Sequence, residues 1–271
     1  MPSPQRMYID GEIGQLHVYV SHAENATKPP LYCAHQSPKN GSEFLAFMTR
    51  ASQDRSVVAM DYPGYGMSDP APSEEATSIE LYARNYWRVA DKLGHSHIDV
   101  FGNHTGAQVA AEMAIMRPEN VGSIAMISAA LLNEAEEAEF RKYFTPIPLD
   151  EAGTRFKTMW ERIIGVRGPD QDLYMLAHSF RMNLMGGEAY EWGHTAAFNH
   201  CKRFHKILAD LPHSITILNP NDDLGDITHR ATPLMQRGEI IDLPQWGYGF
   251  MDAYTQQAVD LVLGKLDAGR K

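Results

Sequence analysis

Apolar and polar positions alternate between two registers along the first half of the chain. Compact apolar runs, PPLYCAH, RSVVAMDYP, HIDVFGN and VGSIAMISA, predict buried strands. Between them lie segments whose apolar residues recur at three- and four-residue spacing. SEFLAFMTRAS and TGAQVAAEMAIM predict helices, and SIELYARNYWRVADKLG predicts a longer one with Ile79, Tyr82, Ala83, Tyr86, Val89, Ala90 and Leu93 on one stripe facing the sheet. The opening GQLHVYVSHAE alternates apolar and polar residues and predicts a half-exposed, antiparallel edge hairpin. Strand following helix in this manner implies a mostly parallel sheet covered on both faces.

From about Leu131 to Leu208 the grammar changes. Charged and aromatic helical stretches (NEAEEAEFRKYF, RFKTMWERIIG, YMLAHSFRMNLM, EWGHTAAFNHCKRFHKIL) follow one another with no strand between them, which predicts a helical insertion. The strand and helix pattern resumes with SITILNP, a helix over DITHRATPLMQR, a strand over EIIDLP and a last helix over GFMDAYTQQAVDLVLGKLD. The organisation expected is a core of residues 1–130 and 209–271 with a helical cap at 131–208. No internal repeat or low-complexity tract is present.

Composition narrows the range of partners. The 271 residues, 44% hydrophobic and 21% charged, are enough to bury one large core. A net charge of −10 argues against nucleic acid or anionic lipid, both of which need clustered Lys and Arg. A small-molecule or protein partner is expected; for assembly, a homodimer is one open alternative. The two cysteines, Cys33 and Cys201, are far apart and outside any metal-ligand spacing, in keeping with a reduced setting. MPSPQRMYIDGEIG has no apolar leader, and no apolar run reaches membrane-spanning length, so a soluble, cytoplasmic protein is expected. No cofactor is expected. Four histidines of the insertion (His178, His194, His200, His205) and Cys201 form no H-E-x-x-H or paired C-x-x-C pattern and are read as surface or pocket-lining groups.

The chemistry centres on FGNHTGA. Gly102, His104 and Gly106 have the G-x-nucleophile-x-G spacing of a sharp strand-to-helix turn, with histidine at the nucleophile position. Together with AHQSP after the first buried strand, DYPGYGMSDP after the next, and NPNDDL followed by LPQWGYG near the end, this turn resembles the α/β-hydrolase superfamily over essentially the whole chain. The resemblance implies an α/β fold with an eight-stranded, mostly parallel sheet flanked by helices, a helical cap inserted, and a pocket at the carboxyl ends of the strands. It also implies roles at matching positions. Thr105 and Ser37 would supply oxyanion donors from their backbone amides, with His35 and Gln36 in the same loop. Gln36 replaces the glycine of many members. Asp222 matches the acid position, with Asp223 as a fallback, and Tyr248 stands where the general-base histidine would be.

Two of the three triad positions therefore depart from the pattern, and serine acyl-enzyme chemistry is excluded at them. An imidazole reaches further than a hydroxymethyl group, so a His104/Asp222 pair is expected, able to move protons near neutral pH, with Tyr248 as a hydrogen-bond donor or proton source. The expected activity is hydrolysis or C–C/C–O lyase chemistry on a small apolar or aromatic molecule. The alternative is a catalytically inactive relative that keeps its pocket for a ligand.

Overall fold

The computed structural model describes residues 4–270; Met1, Pro2, Ser3 and Lys271, which the expected core range includes, lie outside the described residues. Eight strands form one sheet: β1 (Gln5–Asp10), β2 (Gln15–Ser21), β3 (Leu31–Ala34), β4 (Val57–Met60), β5 (Ile98–Asn103), β6 (Val121–Ile127), β7 (Ser214–Pro220) and β8 (Arg237–Leu243). Their spatial order is β1-β2-β4-β3-β5-β6-β7-β8. β1 and β2 form an antiparallel hairpin, β2 runs antiparallel to β4, and every other pairing is parallel. The hairpin is where the alternation predicted it, but β2 is mostly buried rather than half-exposed, because both of its faces are covered: Leu16, Val18 and Val20 enter the core and His17 on the other face packs against Asp61.

Helices α1 (Leu45–Ala51), α2 (Ile79–Leu93) and α3 (Thr105–Met116) alternate with the strands. In α2 the Ser78 hydroxyl caps the first turn and Gly94, at φ +73°, ends the helix. Six of its seven predicted stripe residues are fully buried, and Leu93 is partly so. Apolar side chains from α2 and α3 fill one face of the sheet, while those from α1 and the C-terminal helix Thr255–Ala268 fill the other. Between β6 and β7 the chain forms α4 (Glu134–Tyr143), α5 (Thr154–Gly165), α6 (Leu173–Leu184) and α7 (Trp192–Asp210).

Two helical expectations need correction. Over DITHRATPLMQR only Gly225–Thr228 is α-helical, followed by a single tight turn at His229–Ala231. Thr232 still has helical backbone, at φ −52° and ψ −51°, but Pro233 supplies no N–H to carry the helix on. The last predicted helix is divided at Tyr254, whose φ of −124° separates Phe250–Ala253 from Thr255–Ala268.

From β3 the chain continues to β4 on one side, and from β5 onward it builds the sheet on the other. The loops after β3 and β5 therefore part company at their carboxyl ends and leave a crevice there. His104 and the segment 35–38 sit at its edge.

Candidate active site

His104 occupies the one-residue turn between β5 and α3, at φ +48° and ψ −107°. Such a backbone is costly for a side-chain-bearing residue and persists only where the surroundings enforce it. Two close approaches do so. A Cβ at Gly102 would run into the Gly106 carbonyl, and one at Gly106 would run into the Ala34 carbonyl, so strand and helix can be this near only with glycine at both places. The His104 N–H donates to the Ile127 carbonyl, 3.0 Å away, tying the turn to β6.

The imidazole meets the acid. His104 Nε2 lies 3.0 Å from Asp222 Oδ2, with the Asp222 side chain 1% exposed and the His104 side chain 16% exposed. The same Oδ2 accepts from Ser128 Oγ at 2.6 Å, and Oδ1 accepts from the Leu224 N–H at 2.9 Å. Burial works against the charged form of Asp222, but the charge and hydrogen bond of His104, the Ser128 hydroxyl and the Leu224 amide outweigh it and hold the carboxyl below its usual range. Burial likewise opposes a charged His104; Asp222, by charge and hydrogen bond, and the more distant Asp223 and Glu43 overcome it and raise the imidazole above its usual value. His104 Nδ1 has no hydrogen-bond partner among the described residues.

Tyr248 sits between Gly247 and Gly249, its ring 5.6 Å from that of His104. Its hydroxyl donates to Asp223 Oδ1, so Asp223 serves the tyrosine rather than the histidine. Burial, then the neighbouring Asp223 and Asp222 carboxylates, push the phenol well above 10.

The segment 35–38 departs from expectation in an instructive way. His35, expected at the cavity, is fully buried and turned into the core. It stacks on Tyr62 at 3.6 Å, Nδ1 reaches the Gln36 carbonyl and Nε2 accepts from the Tyr62 N–H. Burial pushes its pKa down to about 4, making it a neutral structural group. Gln36 does line the cavity, but it is no oxyanion donor. Its backbone N–H (3.0 Å) and side-chain amide (3.2 Å) both donate to Glu43. The Ser37 N–H points to Thr105 Oγ1 at 3.4 Å, a long bond that a ligand atom can displace. The first N–H of α3, from Thr105, has no intrahelical acceptor by construction. Ser37 and Thr105 thus remain where two donors were expected, and both line the cavity.

That cavity, of about 530 Å³, lies between the strand ends and the helical insertion. Leu132, Phe140, Phe144, Met159, Ile163, Leu176 and Phe198 give it apolar walls. Its size and lining suit a small organic molecule. A second space of about 20 Å³, room for one water molecule, touches His104, Glu43, Asn103 and Asp252.

Several functional neighbours escaped the sequence reading. Ser128, at φ +57° just past β6, carries the hydroxyl that shares Asp222 with His104; it is fully buried and does not line the cavity. Glu43 is 5% exposed, and burial, opposed by Lys39 and the two Gln36 donors, pushes its pKa up to about 6. Three of the insertion's four histidines are engaged individually: His178 with Arg181, His194 with Glu191, and His200 with Gln108 and Glu112. Among the described residues, no helix is long and apolar enough to cross a membrane.

Comparison with known proteins agrees with this architecture. The family model of the alpha/beta hydrolase fold matches residues 29–158. The solved structure of epoxide hydrolase A from Mycobacterium thermoresistibile superimposes with a TM-score of 0.80 at 17% identity, covering 98% of each chain. An esterase from Thermogutta terrifontis gives 0.76 at 14% identity, covering 98% of this chain and all of the other. In sequence, a serine hydrolase-like protein of Danio rerio is 26% identical over 98 residues, 36% of this chain and 30% of the relative. The chain spans about half or less of the length of the curated relatives it matches first. The protein therefore has the α/β-hydrolase fold. The proteins it resembles carry the names of esterases, epoxide hydrolases and a peptidase, a hydrolase-like class.

Proposed function

We propose that this protein is an enzyme acting on a small, apolar or aromatic molecule by proton transfer at His104, without a serine nucleophile. The single observation that carries the reading is the 3.0 Å bond from the buried Asp222 carboxylate to Nε2 of His104, a residue that lines a 530 Å³ cavity. With Nε2–H donated to Asp222, the neutral ring keeps its lone pair on Nδ1. That nitrogen removes a proton from water or from a substrate hydroxyl, and the resulting imidazolium is stabilised by the carboxylate. The Thr105 and Ser37 amides are the donors available for negative charge developing on a substrate oxygen. The reactions that fit are direct attack by water and lyase steps needing a proton transfer and a stabilised enolate. Esters, epoxides and β-hydroxy ketones with aryl groups are the substrates to try first.

The test is a turnover screen over those three sets with wild type, His104→Ala and Asp222→Asn. General acid–base catalysis contributes about 10²–10⁴-fold, so His104→Ala should lose turnover on that scale. A serine-directed organophosphate should leave the wild type active. Turnover unchanged in His104→Ala, or abolished by the organophosphate, refutes the proposal. Ligands that stabilise the fold with no product across the panel would leave a binding protein instead.

A further inference from the structure

Gln108 lies in the first turn of α3, four residues beyond His104, and both residues line the cavity. The residue is fully buried, yet its side chain lines the cavity. Its Oε1 is 3.0 Å from His200 Nδ1, and His200 Nε2 is 3.0 Å from Glu112 Oε2. Arg203 holds both oxygens of Glu112, at 2.8 and 2.7 Å, and Glu80 stands 3.6 Å from Arg203. The acids Glu80 and Glu112 thus stand around the Arg203 guanidinium, with the His200 ring between Glu112 and Gln108.

This chain of bonds fixes one end of the carboxamide and leaves the other unused. Gln108 Nε2 is buried and has no hydrogen-bond partner. The Cys201 thiol is close enough to feel the amide, but sulfur is a weak acceptor and its own S–H is directed to the Ala130 and Ala197 carbonyls. Buried N–H groups without an acceptor are rare because water has been lost and nothing replaces it. Ser37 Oγ, also on the cavity wall, is a second buried polar atom without a partner.

We infer that Gln108 is a specificity-determining residue, its side-chain N–H groups binding the carbonyl oxygen of an uncharged, apolar-bodied carbonyl compound beside His104. Charge selects against an anion. The cavity carries Glu139, Glu191 and Asp223, while Arg162 is engaged by Glu191 and the Tyr143 carbonyl and Lys39 faces Glu43. The inference deepens the acid–base reading by naming what reacts there, but binding at Gln108 does not require turnover.

The experiment uses two probes of equal shape, acetophenone and α-methylstyrene, in which C=O is exchanged for C=CH2. Dissociation constants are measured for wild type, Gln108→Met and His104→Ala. Losing one hydrogen bond should move the acetophenone to α-methylstyrene affinity ratio toward the hydrocarbon by about 3- to 10-fold in Gln108→Met. His104→Ala should keep the wild-type ratio. In the wild type, the side-chain NH2 resonances of Gln108, assigned by triple-resonance NMR, should shift with acetophenone and not with α-methylstyrene. Those spectra decide the matter alone if Gln108→Met does not fold. An unchanged ratio with unmoved resonances overturns the inference, as does failure of both probes to bind at millimolar concentration. Retention of the ratio in a protein that turns over no substrate would uphold the anchor and dismiss the acid–base reading.

Discussion

Ser128→Ala isolates the hydroxyl that braces Asp222. The side chain is fully buried and donates at 2.6 Å to an oxygen that also serves His104. Hydrogen bonds to charged groups are worth about 1.5–3 kcal/mol. After the substitution Asp222 still accepts from His104 at 3.0 Å and from the Leu224 N–H at 2.9 Å, so the carboxylate is not orphaned and the lower end applies, about 1.5 kcal/mol. For a chain of this size that corresponds to a fall in Tm of about 3–6 °C. Urea unfolding of both proteins as a function of pH supplies a second, sharper signature. Asp222 is held below its usual 3.8, so the stability it contributes is present above 3.8 and lost as pH falls through its folded-state value. Ser128 is part of that depression. The gap between wild type and variant should therefore be constant above 3.8 and close at lower pH. A gap that stays open in acid, or no gap at neutral pH, would show that the hydroxyl does not support the carboxylate.

Turnover should rise with pH through a value above 6.5, since His104 acts as a base only when neutral and its surroundings raise its pKa; in Asp222→Asn this limb should move to lower pH, because burial is then opposed only by the more distant Asp223 and Glu43, and a pH–rate profile reads both. Glu43→Gln should remove a pH-dependent loss of stability. The folded-state value of about 6 against 4.5 means stability is full below 4.5 and falls as pH rises through 6, by about 1.5 × 1.36, or roughly 2 kcal/mol; urea unfolding at pH 4 and 7 tests whether the variant lacks this slope. Arg55 is sealed in the core, bonded to Asp267 and 3.6 Å from the buried Asp99. Arg55→Met takes one of two cations from the buried Asp99, which keeps Arg270, so it should cost about 1.5–3 kcal/mol, and a loss under about 1 kcal/mol in the same assay would contradict that account.

The sheet and elbow were legible because their signals are local. The stretch HIDVFGNHTGA carries a glycine on each side of the turn, and the α2 stripe repeats at helical spacing, so each announces itself within a single window. The His104/Asp222 pair followed from the reach of an imidazole and the position of an acid after β7. What stayed hidden is made by partners far apart in the chain: Ser128 with Asp222 is a separation of 94 residues, and His200 with Gln108 of 92. Neither serine nor glutamine has a spacing that distinguishes it from any other polar residue on a strand end or helix. His35 misled for a related reason. A polar residue after a buried strand reads as cavity-facing, but the Tyr62 N–H and ring needed a partner within the core and took it.

The strained bend that carries His104 has a kinetic corollary. In a serine triad the proton carrier and the nucleophile sit on separate loops, whose relative movement can follow the reaction. In the proposed reaction the proton carrier is rooted in the bend itself, held to β6 through its N–H and to Asp222 through its ring, rather than on a separate loop. Each molecule to be protonated or deprotonated must bring its own atom to a nitrogen on that bend, which makes the timing of reorientation a property of the guest and of the room the cavity allows it.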